Sequence, residues 1–194
     1  MDPELNKGFR ISMRDRGRIL VRGIVQGVGC RPFVYAEAHA LGIRGTVKNT
    51  GSQVEIDAWG DRFDEFLADI SRGPPLARSD SVERLPLAGA PPAGFDILAS
   101  SPGTLSGMIP PDVATCGECV GDLFHEESRY RGYFATSCVN CGPRYSIIGS
   151  LPYDRERTSM AAFPMCPECG REYRDPASRR HHAQTIACPA CGPR

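Results

Sequence analysis

Gly23-Ile-Val-Gln-Gly-Val-Gly-Cys-Arg31 is the stretch whose reading decides this fold. Its glycines leave the backbone free to turn amide hydrogens inward, and an arginine follows where Pro32 opens a helical pattern. Amides of a turn and of a helix N-terminus cradle an anion, and a guanidinium adds a planar fork of donors matched to phosphoryl oxygens. A glycine-rich loop alone also serves as an ordinary tight turn, so the phosphate reading needs a second element.

Upstream of the loop, Ile19, Val21 and Gly23 alternate with Leu20, Arg22 and Ile24 in a predicted strand. Downstream, Phe33, Val34, Ala38 and Leu41 mark one face of a helix that stops at Gly42. Ile43, Gly45 and Val47 form a second strand leading to Asn49, and Val54, Ile56 and Ala58 a third, joined to it by a short hairpin. Asp61 is placed to cap a helix carrying Phe63, Phe66, Leu67 and Ile70, which ends at Gly73. Val82 to Leu87 and Phe95 to Leu98 supply closing strands. The order strand, helix, strand, strand, helix, strand is the ferredoxin-like split βαβ arrangement, an α+β fold. It brings Arg31 and Asn49 to the same end of the sheet.

The second element is Gly45-Thr-Val-Lys-Asn49, followed by Gly51, Ser52, Gln53, Val54 and Glu55. Together with the first loop it resembles the acylphosphatase family, whose signature is Gly-x-Val-Gln-Gly-Val-x-Phe-Arg with a later Gly-x-Val-x-Asn turn. The resemblance implies an acylphosphatase-like βαββαβ sandwich. In it the amides of Gln26, Gly27, Val28, Gly29, Cys30 and Arg31 hold the phosphoryl oxygens, with the Arg31 side chain. Asn49 orients the attacking water, and the proton goes to the substrate's own phosphate. Cys30 replaces the usual Phe, and its plainest reading is a packed or partly exposed thiol without chemistry. Asn49 without Arg31 would read only as a turn cap ahead of Gly51.

Charge excludes little but points away from nucleic acid. The first hundred residues hold 13 basic against 13 acidic side chains and the rest 10 against 10, so neither half carries the positive excess that a phosphate backbone demands. No apolar run approaches the roughly 20 residues of a membrane span, and the chain is expected to be cytoplasmic. Residues 1–16 read as a disordered segment, 17–100 as the acylphosphatase-like domain, 101–114 as a linker and 115–194 as a cysteine-rich domain.

Eight of nine cysteines fall in four Cys-x-x-Cys pairs, Cys116/Cys119, Cys138/Cys141, Cys166/Cys169 and Cys188/Cys191. The gaps between pairs are 18, 24 and 18 residues, and a shift of 50 lays one repeat, 116–141, on the other, 166–191. The same shift superposes Ser128-Arg129 on Ser178-Arg179 and Gly142-Pro-Arg144 on Gly192-Pro-Arg194. Each repeat has the spacing of a structural four-cysteine Zn²⁺ site, giving two ions with four thiolates each. Loop closure favours pairing within each repeat, with the first pair joined to the fourth and the second to the third as the alternative. A four-thiolate iron site satisfies the same spacing. Few apolar residues lie between the cysteines, so metal binding has to supply much of the folding energy of this zinc-stapled domain. His125, His181 and His182 are spare to the coordination count.

Ile109-Pro-Pro-Asp-Val-Ala-Thr-Cys116, Cys138-x-x-Cys141-Gly-Pro-Arg-Tyr-Ser-Ile-Ile148, Leu151-Pro-Tyr-Asp-Arg155, Thr158-Ser-Met-Ala-Ala-Phe-Pro-Met-Cys166 and Arg179-Arg-His-His-Ala-Gln-Thr185 carry a further resemblance. Joined to the acylphosphatase module, they look like the carbamoyltransferase family that matures [NiFe]-hydrogenases, in which the protein continues well beyond the last cysteine pair. The resemblance implies hydrolysis of carbamoyl phosphate to carbamate and phosphate as the first step. Later domains would activate carbamate with ATP and pass it to the C-terminal cysteine of a partner maturation protein, toward the cyanide ligands of the hydrogenase iron. No Walker-type loop is present in this sequence. The competing expectation is a module that binds and delivers carbamoyl phosphate without hydrolysing it.

Overall fold

The computed structural model describes residues 15–102 and 108–194; the expected disordered N-terminal segment lies almost entirely outside the described residues. Strands β1 (Arg16–Ile24), β2 (Arg44–Thr50), β3 (Gln53–Trp59), β4 (Arg78–Leu85) and β5 (Phe95–Ile97) form one sheet in the order β4-β1-β3-β2-β5. The first four are joined antiparallel in the ferredoxin-like order, and β5 lies parallel to β2 at the edge. Helices α1 (Cys30–Leu41) and α2 (Phe63–Arg72) pack on the sheet. Alternation in the strands turns Ile19, Val21, Val47, Val54 and Ile56 inward, where they meet Val34 and Ala38 of α1 and Phe66 and Ile70 of α2.

The starts of both helices differ from the sequence reading, and the fourth strand begins at Arg78 rather than Val82 and ends at Leu85 rather than Leu87. Helix α1 begins at Cys30, with Gly29 as a left-handed N-cap at φ 81°, so Pro32 is the third residue of its first turn rather than the first. The missing N–H of Pro32 is still harmless there, because the first turn has no intrahelical acceptor for it. Arg62, not Asp61, caps α2, and it offers no side-chain cap; Asp64 and Glu65 in the first turn favour the helix dipole instead.

β1 is bulged between Arg22 and Gly23, where a side chain on Gly23 would collide with the Arg78 carbonyl. The bulge bends the strand as it enters the 25–29 loop.

The cysteine half holds two short helices, α3 (Gly117–Phe124) and α4 (Pro167–Arg174), each starting just after the first cysteine of a repeat. Its main apolar cluster joins the repeats and contains Tyr130, Tyr133, Met160, Ile186 and Ala187. The first four-cysteine cluster, by contrast, has no apolar packing among the described residues beyond its own cysteines. Phe124, Phe134 and Tyr145 are exposed rather than core. Between the halves, Ser101 bridges to Thr50 and Val113 to Gly142.

Candidate functional site

The bulge at the end of β1 and the cap of α1 leave Gly27 and Gly29 at φ 70° and 81°. Left-handed residues alternating with ordinary ones turn successive amides to one side, which is the geometry of an anion nest. No amide from Gln26 to Arg31 donates to a described residue. Six main-chain donors are thus left for a ligand.

Arg31 and Asn49 line the same cavity as this loop. Asn49 is 2 % exposed, and its carboxamide makes no hydrogen bond to a described residue. Arg31 is engaged from the other half of the chain: Nη1 donates to Asp154 Oδ1 at 2.8 Å and Ser100 Oγ at 3.3 Å, and Nη2 to the Tyr153 carbonyl at 3.2 Å. Its Nε–H has no acceptor among the described residues.

The cysteine half forms the other wall. Tyr153 N–H donates to Gln26 Oε1 at 2.8 Å, while Gln26 Nε2 donates to the carbonyls of Gly51 at 2.9 Å and Gln53 at 3.2 Å. The Gln26 side chain therefore ties the β2–β3 turn to the opposite half, and only its amide is free for a ligand. Arg144 donates to the carbonyl of Gly27 and also to those of Cys141 and Val139, so the first cysteine repeat grips the loop directly. His182, Gln184 and Thr185 complete the wall. Val28 points into the core at 2 % exposure, and Cys30 is buried, with burial pushing its thiol up to about 12.

Asp154, Tyr153 and Arg144 were not among the site residues expected from the sequence, and His182 was noted there only as spare to the metal count. They stand in segments that carried the second resemblance, Leu151 to Arg155, Cys138 to Ile148 and Arg179 to Thr185, but nothing in their spacing says that they reach the 26–31 loop or its cavity.

The cysteines gather within repeats, Cys116, Cys119, Cys138 and Cys141 in one cluster and Cys166, Cys169, Cys188 and Cys191 in the other. Sulfur separations of 3.6 to 3.8 Å are far beyond a disulfide bond. They match the edge of about 3.8 Å for a tetrahedron with metal–sulfur bonds of about 2.3 Å. Both clusters are suited to hold a metal ion, and their grouping within each repeat sets the interleaved pairing aside.

Each cluster is also bonded by an arginine of the other repeat. Arg179 Nη1 donates to Cys119 Sγ at 2.9 Å, and Arg129 Nη2 to Cys169 Sγ at 3.1 Å. Arg179 pairs with Asp122 and Arg129 with Glu172, positions again related by the shift of 50.

The acylphosphatase family pattern matches residues 17–97, and the HypF finger pattern matches residues 115–148 and 165–194. The carbamoyltransferase HypF of Rhodobacter capsulatus is 52 % identical over 178 residues, covering 91 % of this chain and 24 % of its own. An acylphosphatase of Caldivirga maquilingensis is 49 % identical over 78 residues, which is 82 % of that protein and 38 % of this chain. A crystal structure of full-length HypF in a phosphate- and nucleotide-bound form matches with a TM-score of 0.85 at 38 % identity, over 91 % of this chain and 24 % of that one. HypF of T. kodakarensis matches with a TM-score of 0.79 at 46 % identity, over 92 % and 23 %. This chain thus spans about a quarter of the length of the HypF proteins it resembles. It belongs to the acylphosphatase family through residues 17–97 and, with its paired fingers, is a homologue of the N-terminal part of the HypF carbamoyltransferases.

Proposed function

We propose that the cavity between the 26–31 loop and the fingers hydrolyses carbamoyl phosphate to carbamate and phosphate, as the first step of carbamoyl transfer. The observation that carries this reading is that unbonded amides of the 26–31 loop, Arg31 and Asn49 meet at one cavity. In the proposed step, water held by Asn49 attacks phosphorus, the bond from phosphorus to the carbamoyl oxygen breaks, and carbamate leaves. The proton from water passes to a phosphoryl oxygen of the substrate. Positioning and charge stabilisation by the amides and Arg31 supply the rate. Crystallisation of a full-length HypF with phosphate supports the choice of ligand class.

Zn²⁺ is the proposed metal of both clusters, because four thiolates closing a tetrahedron leave no open position and suit a structural ion. Free thiols held for metal imply a reducing compartment, consistent with a cytoplasmic protein. No helix among the described residues is long and apolar enough to cross a membrane. The acceptor of the carbamoyl group is proposed to be the C-terminal cysteine of a hydrogenase-maturation partner, with no nucleic acid involved.

One observation favours the second reading, binding without hydrolysis. The fingers cover the loop, and Arg31 is already bonded to Asp154 and Tyr153, an arrangement that would also retain a ligand. Phosphate release from carbamoyl phosphate separates the readings. Arg31→Ala and Asn49→Ala are each expected to lower turnover by about 100-fold or more. Near-normal turnover in either folded variant would overturn the assignment.

A further inference from the structure

His182 has no task in the reading above, yet it stands in the wall of the Arg31–Asn49 cavity. Its backbone is held at φ 54°, the one non-glycine residue at positive φ among those described. Such strain persists only where the surroundings enforce it, and it concentrates at functional positions. Here the N–H of His182 donates to the Tyr173 carbonyl at 2.9 Å, and its own carbonyl accepts from Gln184 Nε2 at 2.8 Å. The ring lies against Tyr173 at 4.9 Å and His181 at 4.8 Å.

So firmly placed a ring makes no side-chain hydrogen bond to any described residue, and its Nδ1 is sealed from solvent without a partner. A buried polar atom left unpaired is costly, and such an atom beside a cavity points to a ligand. Burial, with the neighbouring charge of Arg31 and with His181, holds the imidazole down at about 4 against the pull of Asp154. It is therefore neutral near pH 7 and carries one N–H and one lone pair.

Donors already crowd this cavity, in the loop amides and Arg31. Acceptors are fewer, since the Asn49 carboxamide holds the water in the proposed step. Gln184 Oε1 accepts from the Arg155 N–H, Thr185 Oγ1 from Ser137, and Asp154 Oδ1 from Arg31. The group in carbamoyl phosphate that needs an acceptor is its –NH₂, which acetyl phosphate lacks.

We propose that His182 is a specificity-determining residue whose ring nitrogen accepts a hydrogen bond from the carbamoyl –NH₂, so that the cavity prefers carbamoyl phosphate to acetyl phosphate. The proposal rests on the reading of this cavity as a carbamoyl phosphate site. It makes the finger half, rather than the acylphosphatase fold, the source of acyl-group selection.

The test compares kcat/KM for the two substrates in the wild-type chain, His182→Ala and His182→Asn, each checked for metal content and thermal melting. The ratio of carbamoyl phosphate to acetyl phosphate is expected to fall about 10- to 100-fold in His182→Ala, the scale of one lost polar partner. His182→Asn, which keeps an acceptor and tolerates positive φ, recovers much of that ratio. A ratio unchanged in His182→Ala, with both substrates falling together or neither falling, overturns the proposal. If the wild type releases no phosphate, calorimetric affinities for the same two substrates give the same ratio, with inorganic phosphate as the reference for the shared part. Failure of the parent reading looks different: Arg31→Ala then leaves turnover and binding of both substrates unchanged.

Discussion

Arg31 Nη1 lies 2.8 Å from Asp154 Oδ1, an ion pair closed across 123 residues and between the two halves of the chain. Both side chains are close to nine-tenths buried, at 10 % and 11 % exposure. Breaking a buried pair by removing one partner leaves an uncompensated charge, at about 3 to 5 kcal/mol. Asp154→Ala should therefore lower the melting temperature without phosphate. The vacated guanidinium then has more to gain from an anion, so added inorganic phosphate should raise the melting temperature of the variant more than that of the wild type. Equal phosphate shifts in the two proteins, followed by scanning fluorimetry, would mean that Arg31 does not face the anion site.

That pair also marks where the sequence stopped being informative. Alternation in Ile19, Val21, Val54 and Ile56 and the helical spacing of Phe63, Phe66 and Ile70 follow from local burial, so the sheet and its helices were legible residue by residue. That the loop glycines, Arg31 and Asn49 share one cavity was legible from the order of the elements, which brings both loops to one end of the sheet. The cysteine spacing likewise exposed the two clusters. Asp154, Tyr153 and Arg144 were not legible as site residues, since their contacts with Arg31, Gln26 and Gly27 arise from docking two halves and leave no periodicity behind.

Cys30 gives a direct check on burial beneath the loop. A thiol pushed up to about 12 has a thiolate fraction at pH 8 more than a thousandfold below that of an ordinary cysteine, about one in ten thousand. Iodoacetamide at pH 8 should leave Cys30 unmodified in the folded, metal-loaded protein and label it fully after denaturation, as read by peptide mass mapping. Rapid labelling of the native protein at Cys30 would show that the thiol is reachable and that the loop packs differently.

The exchanged arginines predict cross-talk between the metal sites. Arg179 reaches from the second repeat to Cys119, and Arg129 from the first repeat to Cys169. A four-thiolate site holding a divalent ion carries a net charge of about −2, which a guanidinium bonded to sulfur offsets. Removing an outer hydrogen bond of this kind typically costs about 10- to 100-fold in metal affinity. Arg179→Gln should thus speed loss of metal from the cluster of Cys116, and Arg129→Gln from that of Cys166, each in the repeat that was not mutated. Native mass spectrometry during chelator competition, with cysteine labelling to locate the emptied site, distinguishes this from loss confined to the mutated repeat.

Metal removal should reach the Arg31–Asn49 cavity itself, and through one side chain in particular. Among the described residues the first four-cysteine cluster has no apolar packing beyond its own cysteines, so a bound ion would take the place of a core there. Arg144 stands three residues past Cys141, bonds to the carbonyls of Cys141 and Val139, and from that anchorage holds the Gly27 carbonyl. Without the ion the anchorage loosens and Gly27 loses its clamp, while the apolar core beneath the sheet is untouched. Chelation, or Cys119→Ser, should therefore lower turnover of carbamoyl phosphate by about 10-fold or more while the sheet keeps its amide protection in hydrogen exchange. Arg144→Ala should lower turnover with both metals still bound. Full activity in the metal-free protein would show instead that the loop is shaped by β1 and α1 alone.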